Sequence, residues 1–153
     1  MTGLVEAIFV ATRAGSLPVS VSAVRAFAGR GLEGDRYFEG IGSFSRWPGE
    51  GRAVSLIQRE TLDALVVEGG PDAKAGQHRR NIVTAGIELQ SLIGRQFRIG
   101  TATLRGTREC TVCRYLNRAS GLDLFQTLHN RGGLRADITA DGIIRPGDTV
   151  SVL

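Results

Sequence analysis

Two cysteines, Cys110 and Cys113, lie close together in the stretch Leu104–Leu116, LRGTRECTVCRYL, and they are the only thiols in the chain. A cysteine thiolate is a nucleophile, a soft metal ligand and a carrier of persulfide sulfur, so this spacing can support chemistry. The surrounding residues favour the ionised form. Ala102–Arg108 alternates small or apolar with polar residues and reads as a strand, whereas Thr111 onward sets Val112, Tyr115 and Leu116 at helical spacing. The pair is therefore expected where a strand ends and a helix begins, near unpaired N–H groups that favour negative charge, with Arg108 and Arg114 on either side. Three chemistries compete. A redox pair needs a strand-to-helix junction, which is present, and a βαβ setting, which the preceding hairpins do not provide. Structural zinc needs four ligands, and only His78 and His129 stand beside the cysteines, without a second CxxC. The third is a reactive cysteine that carries sulfur or ligates a soft metal, with arginines holding an anionic partner. Two small thiols that merely fill space are the plain alternative.

The elements that must position this pair follow from pattern. Gly3–Thr12 is a continuous apolar run read as a buried strand, and Val19–Phe27 alternates and is expected to fold back on it as a hairpin. Gly29–Gly51 reads as a loop of about two dozen residues, a length at which loops are usually functional; it contains Trp47, Pro48 and a glycine-flanked Asp35–Arg36 pair. That pair suits a structural turn or the wall of a binding cleft. Arg52–Ile57 and Arg79–Thr84 are expected strands flanking an amphipathic helix over Gln58–Val67, which Gly69-Gly70-Pro71 ends. Glu88–Ile93 looks like a short helical turn. Gln96–Ile99 and Ala102–Arg108 form a hairpin around Gly100. Thr111–Arg118 and Leu122–Asn130 read as helices, Leu134–Ala140 and Thr149–Leu153 as strands, and Asp141-Gly142 as a hairpin signal. The class is α+β and β-rich: a mostly antiparallel, barrel-like sheet with short helical insertions, in one domain over 1–153.

Composition bounds the function. The 153 residues are 42% hydrophobic and 22% charged, ordinary for a globular domain. The formal charge of +4 is carried by eighteen arginines and one lysine, Lys74. Guanidinium groups bind phosphate and carboxylate through paired hydrogen bonds, so the bias points to anion recognition, unless it only reflects GC-rich coding. The arginines are mixed with acids, and no nucleic-acid-binding motif is present, so nucleic acid is not an expected partner. No basic, cleavable leader and no apolar run of spanning length occurs, so a cytoplasmic protein without membrane contact is expected. Nothing in the sequence specifies an oligomeric state.

Several stretches, in order and spacing, resemble the MOSC domain, the module at the C-terminus of molybdenum-cofactor sulfurases that also occurs as small free-standing proteins. They are Gly31-Leu32-Glu33-Gly34-Asp35-Arg36-Tyr37, His78-Arg79-Arg80-Asn81-Ile82-Val83, Ile93–Gly100 and Gly106–Cys113. Arg131-Gly132-Gly133-Leu134-Arg135-Ala136 and Gly142–Asp148 complete the set.

The resemblance implies a β-barrel, association with the molybdenum cofactor (molybdopterin), and a cysteine near a strand end that bears a persulfide or binds molybdenum. By position that cysteine is Cys113. Val112 replaces the family's proline, and Cys110 is an additional thiol that could resolve a persulfide. Where the family commonly has Gly-Glu-Asn, this chain has Arg79-Arg80-Asn81, which adds positive charge. On this reading Cys113 and Cys110 are the catalytic candidates and Cys113 the metal ligand. Asp35, Arg36, Arg79, Arg80, Asn81, Arg108, Arg114, Arg131 and Arg135 line the cofactor or anion site. His78 is a candidate proton donor, and His129 a partner for a helix C-terminus. A cysteine desulfurase or a molybdoenzyme would be the protein partner. Pyridoxal phosphate is not expected, since Lys74 has no Schiff-base context. The alternative is a module that binds an anionic cofactor or docks a partner without chemistry.

Overall fold

In strands whose two faces meet different surroundings, neighbouring residues pack into different cores, and this chain uses that device to build a covered barrel wall. The computed structural model describes residues 2–13, 15–36, 38, 51–112 and 114–153. Trp47, Pro48, Tyr37 and Cys113 lie outside the described residues. Strands β1 (Thr2–Val10), β2 (Val19–Ser20), β3 (Val24–Phe27), β4 (Gly31–Leu32) and β5 (Val54–Gln58) precede helix α1 (Arg59–Val67). After it come β6 (Ile82–Ala85), a 3-10 turn (Leu89–Leu92), β7 (Gln96–Ile99) and β8 (Ala102–Glu109). Helix α2 (Arg114–Ser120), β9 (Leu134–Ala140), β10 (Gly142–Ile144) and β11 (Thr149–Val152) complete the chain.

Seven strands close a ring in the order β1, β6, β5, β9, β8, β7, β11, with β11 returning to β1. Every pairing in the ring is antiparallel except β5 with β6, which run parallel because α1 carries the chain back between them. Ile8, Leu56, Ile82, Phe97, Leu104, Leu134 and Val150 fill one core. Their neighbours Phe9, Ile57 and Val83 point the other way and meet Leu62, Leu65, Leu116, Leu124 and Leu128 in a second. The wall β1–β6–β5 is thus covered by the helices. On β7 and β8 the residues alternating with the core, such as Gln96, Arg98 and Arg105, face solvent instead.

The expected barrel, α1 and the β7–β8 hairpin are present. Four local expectations change. Val19–Phe27 is not one strand: only Val19 and Ser20 pair with β1, and β3 joins β10 and β4 in a separate small sheet. Asp141-Gly142 does not close a hairpin, because Gly142 crosses so close to Thr101 and Ala102 that a Cβ there would lie 2.3 Å from their backbone. β10 consequently pairs with β3, while the Asp141 carboxylate accepts the Ala28 N–H at 2.7 Å. Arg79–Asn81 precede β6 rather than belonging to it. Of Leu122–Asn130 only Phe125–Asn130 turns, and none of it is α-helix, so His129 is an exposed turn residue. No helix among the described residues is long and apolar enough to cross a membrane.

Candidate functional site

The stretch His78–Asn81 joins two groups of side chains. Arg79 adopts a left-handed conformation, φ 59°, which turns the chain sharply; its N–H donates to the Gly76 carbonyl and its guanidinium to the Ser16 carbonyl. That turn sends Arg80 one way and Asn81 the other. The Arg80 backbone N–H donates to His78 Nδ1 at 2.9 Å, and its Nε donates to the Gly132 carbonyl at 2.8 Å. Gly132 in turn lies against Cys110, where an added Cβ would sit 2.2 Å from the cysteine carbonyl oxygen and 3.2 Å from Arg80 Nη2. The cysteine turn, the glycine pair before β9 and a buried arginine therefore meet.

Asn81 builds the second group. Its Oδ1 accepts from the Ser55 N–H at 3.1 Å, and its Nδ2 donates to the Phe9 carbonyl and to Asp35 Oδ1. Asp35 is fully buried; its Oδ1 also accepts the Ala11 N–H at 3.0 Å and pairs with Arg36 Nη1 at 3.4 Å. Ser55, Asp35 and Asn81 thereby pin the end of β1 to the starts of β5 and β6. Ser55, the polar residue amid apolar neighbours in Val54–Ile57, carries this signal in the sequence, although no motif marks it.

Other candidates are placed differently. Cys110 is fully buried, and its N–H donates to the Gly133 carbonyl at 2.8 Å. Arg108 and Arg135 are direct partners across β8 and β9, like charges side by side beyond an irregularity in the ladder. Arg114 is exposed, with its guanidinium 4.8 Å from the centre of the Phe125 ring. Arg131 is held by Glu68 through two hydrogen bonds, 3.0 and 2.6 Å, which raise the arginine's pKa and lower that of Glu68. A cavity of about 480 Å³ reaches the glycine pair before β9 at Gly133. Among the described residues Gln58, Glu60, Glu88, Gln90 and Asn130 line it, together with Arg131.

Residues 45–151 match the family model of the MOSC domain. The chain belongs to the MOSC domain family. Solved structures share this barrel over nearly the whole of this chain. The YuaD protein of Bacillus subtilis aligns over 99% of this chain and 96% of its own, at TM-score 0.75 and 17% identity. YiiM from Geobacillus stearothermophilus aligns over 100% of this chain and 75% of its own, at TM-score 0.75 and 17% identity. YiiM from Escherichia coli covers 100% and 70%, at TM-score 0.68 and 21% identity. No curated protein sequence matches significantly.

Within this MOSC domain His78 is a neutral imidazole. It is fully buried, edge-on to Phe9, and its Nδ1 accepts from Arg80, which leaves the proton on Nε2 without a hydrogen-bond partner among the described residues. Burial, and then the Arg80 charge, lower its pKa to about 3. It does not offer an imidazolium proton at neutral pH. Because the unfolded chain titrates near 6.5, protons favour unfolding between the two values. Stability is therefore full above pH 6.5 and falls as pH drops toward 3, with a loss of about 2 kcal/mol by pH 5. Urea titrations at pH 7 and pH 5 check this. His78→Asn, which keeps an acceptor for the Arg80 N–H, is expected to flatten that part of the pH dependence; an unchanged slope would assign it to other groups.

Proposed function

We propose that this MOSC domain is a molybdenum-cofactor-associated sulfur carrier, with Cys113 as the thiol that bears the transferable sulfur. The observation that supports this reading is the bond from buried Arg80 to the Gly132 carbonyl, which ties the cationic 78–81 stretch to the turn after β8 that leads into Cys113. Arg79 and Arg80 are 7% exposed each, so both guanidinium groups are held in a rigid, largely desolvated setting. Charge-assisted bonds from such pre-positioned guanidinium groups suit a phosphate or a persulfide anion.

The donor set fits a metal that arrives with ligands of its own. Among the described residues no three His, Cys, Asp or Glu side chains converge into a metal cage, so a protein contribution of one thiolate, at Cys113, is what this chain would add. Bound there, the cofactor would supply a soft metal that accepts sulfur and a phosphate that needs counter-charge. The chain's own step is thiol exchange. The Cys113 thiolate attacks the outer sulfur of a donor persulfide, an S–S bond forms on Cys113, and the donor leaves as its thiolate, so no external oxidant is needed. A cysteine desulfurase is the donor class, and a molybdoenzyme the recipient. Buried Cys110 packs the turn, and would act on the persulfide only if the turn opened.

Incubation with a cysteine desulfurase and cysteine is expected to add about 32 Da to the intact protein, as one persulfide sulfur. Cys113→Ser abolishes the adduct and Cys110→Ser retains it. An adduct that lives longer in Cys110→Ser than in the parent would make Cys110 a resolving thiol. No adduct in the parent, with anionic-ligand binding that depends on Arg79 and Arg80, would overturn the carrier reading in favour of a docking module.

A further inference from the structure

A second depression lies at the opposite end of β8 from Cys110, roughly 25 Å along the strand at about 3.3 Å per residue. It has a volume of about 340 Å³ and is lined by Arg98, Gly100, Thr101, Ile143, Arg145, Asp148, Thr149 and Ser151. We propose that it binds a phosphate group borne by a small molecule, independently of the cysteine site.

The backbone of this depression is already satisfied. Thr101 Oγ1 accepts the Ile143 N–H at 2.8 Å, the Thr101 N–H donates to the Ile143 carbonyl, and the Gly100 N–H donates to Thr149. Asp148 Oδ2 accepts the Arg145 N–H at 2.7 Å and closes the Arg145-Pro146-Gly147-Asp148 turn, which holds Arg145 in place; its single negative charge stays in the lining and is outweighed by Arg98 and Arg145 together. Gly100 leaves the floor open to that carboxylate, since a Cβ there would lie 2.5 Å from Asp148 Oδ2.

The donors that are not spent are four. Arg98 and Arg145 are exposed and, among the described residues, form no ion pair, unlike Arg36, Arg59 and Arg131, and meet no ring as Arg30 and Arg114 do. The hydroxyls of Thr149 and Ser151 have no internal hydrogen bond among the described residues. Ser151 is the direct cross-strand partner of Arg98, which puts a hydroxyl and a guanidinium side by side on adjacent strands. Arg25 stands opposite Ile143 across β3 and β10 and adds positive charge at the border. Two guanidinium groups with hydroxyls around a concavity form a set of donors with one natural complement, a multiply charged oxyanion. The volume is at the small end for ligand sites, which favours a phosphate ester or diphosphate over a larger ligand. Among the described residues no aromatic side chain lines it, so they supply no stacking platform of the kind a single-stranded nucleic-acid groove uses.

The test is a titration of the full chain with pyrophosphate at constant ionic strength, followed by calorimetry and by backbone amide NMR shifts. Saturable binding is expected, with shifts at Gly100, Thr101 and Thr149 and none at Arg80, Gly132 or Gly133. Arg98→Gln and Arg145→Gln should each weaken binding about tenfold, the loss of one charge-assisted bond, whereas exposed Arg118→Gln should leave it unchanged. Cosedimentation with phosphatidylglycerol vesicles that is lost in the same two variants would assign the phosphate to a lipid headgroup, and its absence to a soluble ester. Absence of saturable binding at millimolar pyrophosphate, binding that survives the Arg98→Gln/Arg145→Gln double substitution, or shifts confined to 78–81 and 131–133 would each overturn the proposal.

Discussion

Gly133→Ala is expected to destabilise the barrel by more than about 3 kcal/mol, a large share of the roughly 5–15 kcal/mol that keeps a domain folded. Two independent costs add. Gly133 has φ 110°, a conformation that a residue with a Cβ rarely adopts. Its Cβ would also sit 1.9 Å from the Leu56 carbonyl oxygen and 3.0 Å from the Leu56 carbonyl carbon, within a strand paired on both sides. Backbone of that kind cannot move aside as the tip of a side chain can. Any shift of Gly133 would also break the bond that its carbonyl accepts from Cys110. Gly147→Ala is the control. It has φ 90° with no atom within 4 Å of the added Cβ, so it pays the conformational cost alone, about 1 kcal/mol. Urea unfolding of the two variants separates the terms; equal losses would show that the steric one had been absorbed.

Asn81→Ala should cost about 3–5 kcal/mol, because several buried polar groups lose partners at once. The Ser55 N–H would lose its acceptor and the Phe9 carbonyl a donor, and Asp35 would keep its buried charge with one fewer hydrogen bond. The orientation of the amide is fixed by chemistry, since Nδ2 faces two acceptors and Oδ1 faces an N–H. Asn81→Asp retains the acceptor but sets a second carboxylate beside Asp35. Like charges that close repel each other, so this variant is expected to be destabilised more at pH 8 than in mild acid. Equilibrium unfolding at pH 5 and pH 8 measures this. A loss of ligand affinity in Asn81→Ala at unchanged stability would return the residue to the binding site and refute its structural role.

Asn81 also shows how far a motif can carry. The block around it marks the family, yet its side chain is wholly engaged in holding strands together. Arg131 is similar: it sits in a family stretch, and Glu68, 63 residues earlier in the chain, claims its guanidinium. Opposite charges that far apart in sequence leave no local pattern by which their pairing could be read.

The sequence by itself determined the β-rich class, the α1 helix, the β7–β8 hairpin and family membership, because periodicity, turn residues and motif order are properties of neighbours in the chain. Only the tertiary structure decided that β3 and β10 pair with each other, that Cys110 is buried, that His78 is neutral, and that the cavity at Gly133 is lined by carboxylate and amide groups. Each of those depends on which backbone passes close to which. The approach of Gly132 to Cys110, of Gly133 to Leu56 and of Gly142 to Ala102 sets these neighbours, and such approaches arise from ring closure over long separations. Burial then fixes charge and accessibility, since an ionisable or nucleophilic group takes its properties from the atoms packed around it rather than from its place in the chain.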